Sequence, residues 1–170
     1  MNGINDMNTK PSVGDVFLIP LDEMSAAGGQ IISIREGEEL YLVVFDQKLS
    51  LNETDPIVAI SGSPVLLALS FDAKFWHGDW PIIGNQVGLT EQYPQPNYKI
   101  KHAGVMSLES RDKSVRRPAS SDEIEILRYR SVAAPAIIED AIKAHFWIGE
   151  LDDNNDDLLA EYAIASSKLI

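Results

Sequence analysis

The chain has no cysteine. That excludes disulfides, thiolate catalysis and cysteine-ligated metal centres. Histidine is scarce, and His77, His102 and His145 lie too far apart for an H-x-H or H-E-x-x-H metal pattern. No phosphate-cradling G-x-x-x-x-G-K-[ST] or G-x-G-x-x-G run occurs, and no G-x-S-x-G nucleophile turn. Apolar runs such as Val65–Leu69 fall far short of the roughly 20 residues of a membrane span. The first twelve residues are polar, so no secretory signal is expected, and the expected location is cytoplasmic. Positive charge is also short. The 14 Lys and Arg stand against 26 Asp and Glu, a net charge of −12. This argues against nucleic acid as a direct partner, where a basic face is the rule, and suits a basic protein partner.

What is present fits one globular domain. The 170 residues are 45% hydrophobic and 24% charged, ordinary values for a chain that can bury a core without staples. Residues 1–12 read as a flexible polar tail, and 13–170 as a single α+β domain. Within it, 13–107 is β-rich, 108–118 reads as a polar, basic loop, and 119–170 reads as helical.

Val13–Leu21, Gln30–Arg35 and Leu40–Phe45 are rich in aliphatic and β-branched residues and predict a three-strand meander. Gly28-Gly29 and Glu36-Gly37-Glu38 are its expected turns. Pro56–Ile60, Pro64–Phe71, Trp80–Gly84 and Tyr98–Ile100 are further strand candidates, and Pro64–Phe71 also allows helix. The runs are apolar on both faces, so something must cover the outer one. Helices are expected from Pro135, with Ile138, Ala141, Ile142 and His145 on one face, and from Asn154 or Asn155. In the second, Leu158, Tyr162, Ala165 and Leu169 form the expected stripe. The predicted architecture is a small twisted antiparallel sheet, or partial barrel, covered by C-terminal helices.

Two segments look fit for binding. Asp72–Trp80 packs two acids, a lysine, a histidine and two tryptophans into nine residues. Its simplest reading is a hairpin turn at His77-Gly78-Asp79, with Asp72, Trp76 and Asp79 as candidate contacts. Glu150, Asp152, Asp153, Asp156 and Asp157 form an acidic run with no base among them. It lacks the glycine and distal glutamate of a calcium loop. It reads as a solvated helix start or as an acidic docking surface for a basic partner. Arg111, Lys113, Arg116 and Arg117 read as internal partners for the acids. No catalytic residue, metal site or cofactor is expected.

Gly14-Asp15-Val16-Phe17-Leu18-Ile19-Pro20-Leu21 resembles the opening G-D-[VI]-F-x-I-P-L of the immunity protein 26 family. The likeness continues through Gly29-Gln30-Ile31-Ile32, Trp80-Pro81-Ile82-Ile83-Gly84-Asn85 and Tyr129-Arg130-Ser131-Val132-Ala133-Ala134-Pro135. The resemblance implies a bacterial immunity protein, not an enzyme, that neutralises a cognate toxin by binding its C-terminal toxic domain. A basic nuclease is one toxin class that the acidic charge would suit. The family brings no contact residues with it, so the candidate contacts are those read above from acids and aromatics. The same opening is also similar to that of MazF/PemK-like endoribonucleases. Those carry a basic RNA face and an arginine-rich strand after the first hairpin, where this chain has Ile31-Ile32-Ser33-Ile34-Arg35. A generic module binding a small ligand or a protein is the remaining alternative.

Overall fold

Three apolar runs near the start pair as an antiparallel meander. They are β1 (Asp15–Pro20), β2 (Ser25–Ile34) and β3 (Leu40–Ser50). β4 (Ser63–Ser70) adds to the free side of β3, and β5 (Ile82–Asn85) to the free side of β1. The sheet order is therefore β4-β3-β2-β1-β5. A second sheet holds β6 (Asn97–His102), β7 (Val105–Ser110) and β8 (Arg116–Pro118) in sequence order. Among the described residues the α-helices are α1 (Pro56–Ala59), α2 (Ala73–Trp76), α3 (Ser121–Ile126), α4 (Pro135–His145) and α5 (Ala160–Ser167). The fold is α+β, and neither sheet closes into a barrel. The computed structural model describes residues 10–35, 39–147 and 153–170. The expected turn at Glu36–Glu38 lies outside these, and so does Gly149, a glycine suited to end the helix expected from Pro135.

The five-stranded sheet is apolar on both faces because successive strand residues point opposite ways. Leu40, Leu42 and Val44 of β3 face one core with Phe17, Ile31, Leu66 and Ala68. Tyr41, Val43 and Phe45 face the other with Ile32, Leu67 and Leu69. α4 covers the first face with Ile138, Ala141 and Ile142. Tyr98 of β6 and Ala160 and Ala163 of α5 cover the second. The aromatic centre of the first core is Trp80, fully buried and stacked on Phe17 at 5.5 Å, with Phe75 edge-on to both. The Trp80 indole N–H donates to Glu139 at 2.8 Å, which ties α4 to the sheet.

Several local expectations change, each for a physical reason. Pro64–Phe71 takes the strand option, because β3 offers it a ladder with both faces buried. Pro56–Ile60 is a helical turn, not a strand. Asp55 caps it by accepting from the Ile57 N–H at 2.9 Å, and Pro56 occupies its first turn. Gly28-Gly29 is not a turn but lies inside β2. The reversal is made instead at Asp22, whose carboxylate accepts from the N–H groups of Met24 and Ser25. Residues 108–118 are not a loop, since they carry the second half of β7 and all of β8. The second C-terminal helix starts later than Asn155. A 3₁₀ turn at Asp153–Leu158 breaks at Asn155, Leu159 is extended, and α5 follows. Its buried residues are Ala160, Ala163 and Ser166 rather than the Leu158–Tyr162–Ala165–Leu169 stripe.

The two glycines are needed inside β2 because α1 and Phe17 press on it. A β-carbon on Gly28 would sit 1.9 Å from the Ala59 carbonyl oxygen, and one on Gly29 would sit 2.4 Å from the Phe17 ring. Gly88 meets nothing within 4 Å. Gly28→Ala is expected to destabilise the protein by about 1–3 kcal/mol through overpacking. Gly88→Ala is expected to be near neutral. Urea denaturation midpoints of the two variants check this.

Candidate functional site

β4 ends where the Ser70 hydroxyl donates to the Ala133 carbonyl at 2.7 Å. The chain then turns through Phe71 and Asp72 into α2, and Gly78, at φ +73, closes the segment. The turn at His77-Gly78-Asp79 therefore follows a short helix and is not the tip of a hairpin. Phe75 and Trp80 are buried and pin this knob to the core. Trp76, between them, is 43% exposed. Its indole N–H donates to the Asp72 carboxylate at 2.7 Å, which fixes the ring in place on the surface. Phe71, just before Asp72 in the chain, is exposed as well. Asp79 is exposed and lies 3.8 Å from Lys74, which also lies 3.4 Å from Glu139 of α4. The structure thus gathers Asp72, Trp76 and Asp79 on one knob.

The acidic run does not behave as one surface. Glu150, Asp152 and the side chain of Asp153 lie outside the described residues. Asp156 is paired with Arg128. Asp157 is half-buried, and that burial raises its carboxyl above the ordinary range. These residues sit on the turn that the Leu66–Leu159 bridge holds against β4, not on the α2 knob. His145 lies 2.8 Å from Asp46 at the edge of the fold, and His102 ends β6 in solvent.

The basic stretch is used internally, and it builds a site that sequence reasoning missed. Arg130, 13% exposed, is the centre. Its Nε lies 2.7 Å from Glu109 Oε1, and Glu109 itself is almost fully buried. Its other nitrogens reach Glu39 at 3.3 Å and donate to the carbonyls of Ser110 and Arg111. Glu109 also accepts from Arg116 at 2.7 Å. The Arg130 guanidinium covers the Tyr98 ring at 4.9 Å. Arg111 bridges the sheets, donating to Ser33 at 2.7 Å and to Gln95, with Tyr41 beneath it. Burial lowers its pKa from the usual guanidinium value. Arg111 and Asp112 line a crevice of about 340 Å³ with Gln95, Asn97, Ser110 and Ser114. Hydrogen bonds from the Ser114 hydroxyl and N–H, then from Ser110, hold the Asp112 carboxyl down at about 2. The only sequence signal was an excess of arginine over residues 111–130. Nothing in it told which acids would answer.

Among the described residues no group of three His, Asp or Glu is placed to hold a metal ion. None of the described helices is long and apolar enough to cross a membrane. The fold and its surface are those of an α+β scaffold presenting fixed aromatic and acidic groups. The sequence pattern of the family described as Immunity protein 26 matches residues 12–107, more than half of the chain. The chain belongs to that family, and it is an immunity protein. The matched stretch includes β1 and the Trp80–Asn85 segment that becomes β5. Tyr129–Pro135 and the helices α3 to α5 lie beyond it. No curated protein and no solved structure matches the chain.

Arg130→Ala would leave Glu39 without its cation and the buried Glu109 with Arg116 alone. A loss of about 3–5 kcal/mol in unfolding free energy is expected, read by chemical denaturation. A milder effect is expected at Glu123, whose carboxyl is held at about 2 by Arg117 first and by the Ser120 N–H second. A depressed carboxyl stabilises fully above its ordinary pKa of 4.5 and loses that contribution as pH falls through about 2. The melting temperatures of wild type and Arg117→Gln should therefore differ at neutral pH and converge across that acid window.

Proposed function

We propose that this immunity protein neutralises a toxin by binding the C-terminal toxic domain encoded beside it, without chemistry of its own. Membership of the immunity protein 26 family over residues 12–107 carries the reading. We infer one folding unit over residues 13–170, with 1–12 as a tail. The binding surface includes the α2 knob, where Asp72 holds Trp76 in a fixed orientation beside Asp79. A fixed aromatic loses little freedom on binding, and tryptophan is among the residues that most often dominate an interface. The charge of −12 suits a basic toxic domain such as a nuclease, because it would speed encounter. Asp156 and Asp157, with Glu150, Asp152 and Asp153, supply a second acidic contact, separate from the knob, in this reading. The protein acts in the cytoplasm of the cell it protects.

The crevice beside Arg111 supports a second reading, a module for a small polar ligand, since about 340 Å³ lies within the size range of ligand pockets. Metabolite-induced thermal shifts with no toxin complex would favour it.

Co-expression with the toxic domain encoded immediately upstream is the decisive test, with a mismatched immunity protein as control. Specific growth rescue and a co-purifying complex are expected. Trp76→Ala is expected to weaken the complex by at least about 30-fold, the scale of an interface hot spot, with an unchanged melting temperature. Absence of both rescue and complex with the wild-type chain would overturn the reading.

A further inference from the structure

β6 and β7 are joined by a two-residue loop, Ala103-Gly104, closed by the His102–Val105 pair. Both loop residues have positive φ, 49° and 80°. This is the primed turn whose twist matches that of the flanking strands. Glycine adopts it freely, but Ala103 carries a β-carbon into the left-handed region that ordinary residues avoid. Such a conformation persists only where the surroundings over-determine it. Here the base of the hairpin does so. Tyr98 and Glu109 pair across it, both buried and both held by Arg130, and Leu108 is fully buried. The tip is the opposite: Lys101, His102, Ala103, Gly104 and Val105 are all exposed.

The charge of this element is also opposite to that of the chain. The hairpin Asn97–Ser110 carries Lys99 and Lys101 against a single acid, the buried Glu109, in a protein with 26 acids. Lys99 is occupied, donating to the Ile124 carbonyl and covering Tyr129. Lys101 has no hydrogen bond or ion pair among the described residues. His102 Nδ1 lies 3.5 Å from Arg116, whose charge is answered by Glu109. Val105, 49% exposed, adds an apolar contact beside the charges.

Resting on the toxin-binding reading above, we propose that the β6–β7 hairpin tip is an insertion element that enters an acidic cleft of the toxic domain. Lys101 meets a carboxylate there, and Val105 packs against the cleft wall. The rigid turn presents both without a loop-ordering cost. The acids of the α2 knob meet basic surface outside the cleft, so the two charge signs also fix the orientation of docking.

The test measures affinity for the inactivated toxic domain, and melting temperature, for wild type, Lys101→Glu, Lys101→Gln and Ala103→Gly. Lys101→Glu is expected to weaken binding at least tenfold at an unchanged melting temperature, and Lys101→Gln to weaken it less. Ala103→Gly is expected to raise the melting temperature and keep wild-type affinity, because it relieves the backbone and preserves the turn. Wild-type binding that survives Lys101→Glu intact would overturn the insertion and leave the immunity reading standing. If Lys101→Glu lowers the melting temperature, Lys101→Gln decides by the same criterion, with unchanged affinity again counting against insertion. Failure of the wild-type chain to bind at all would overturn both.

Discussion

A sheet that is apolar on both faces cannot stand in water. β2, β3 and β4 form such a sheet, and the rest of the molecule is arranged to cover it. α4 closes one face, anchored by the Trp80–Glu139 hydrogen bond. β6, the Tyr93 loop and α5 close the other. Two covers on opposite sides explain why the chain must continue beyond the five-stranded sheet, and why its C-terminal third is split between the faces. The β4 edge is also met by this third, through bridges from Ala133 and Leu159. Covering an edge this way removes a row of unpaired backbone groups that would otherwise template aggregation.

The second cover brings a polar problem. β6 and β7 lie against the sheet with Glu109 buried among them, and a lone buried carboxylate is costly. Arg130 answers it from the extended segment before α4, and in doing so joins Glu39, Glu109 and two backbone carbonyls. Pairs of this kind add little net stability over apolar packing, yet are strongly destabilising when broken. Their value here is geometric. They hold the small sheet in one position against the large one, and that position sets where the β6–β7 tip points.

The surface follows from the same frame. Phe75 and Trp80 must be buried to complete the first core, so the short helix that carries Phe75 turns Trp76, the next residue, outward. Asp72 then fixes that ring. A residue that looks like a core aromatic by type is exposed because its neighbours occupy the core. The acids divide likewise. Some are used at home, as Asp156 is by Arg128 and Glu123 by Arg117. Asp79 remains largely in solvent beside Lys74. The net charge of −12 therefore says less about the binding face than the placement of individual acids does.

Composition and pattern determined a good deal unaided. The β1–β3 meander, the α+β class, the helix from Pro135 and the need for a second cover all follow from apolar runs and their periods, which are local properties. The family was legible in short motifs, because Gly14, the β1 run and the Trp80–Asn85 segment serve the sheet itself. What the tertiary structure decided was everything that depends on distant neighbours. Gly28 and Gly29 look like a turn until α1 and Phe17 are seen pressing on the strand. Residues 108–118 look like a loop because β8 has a polar exterior and its arginines answer acids that include Glu109, inside the adjacent strand. Pro56–Ile60 looks like a strand because a single capped helical turn has no period to read. The meeting of Glu39, Glu109 and Arg130 spans most of the chain, and no local pattern encodes a partner at that distance. Exposure of Trp76 and of the Lys101–Val105 tip is decided in the same way, by which neighbours fill the core first.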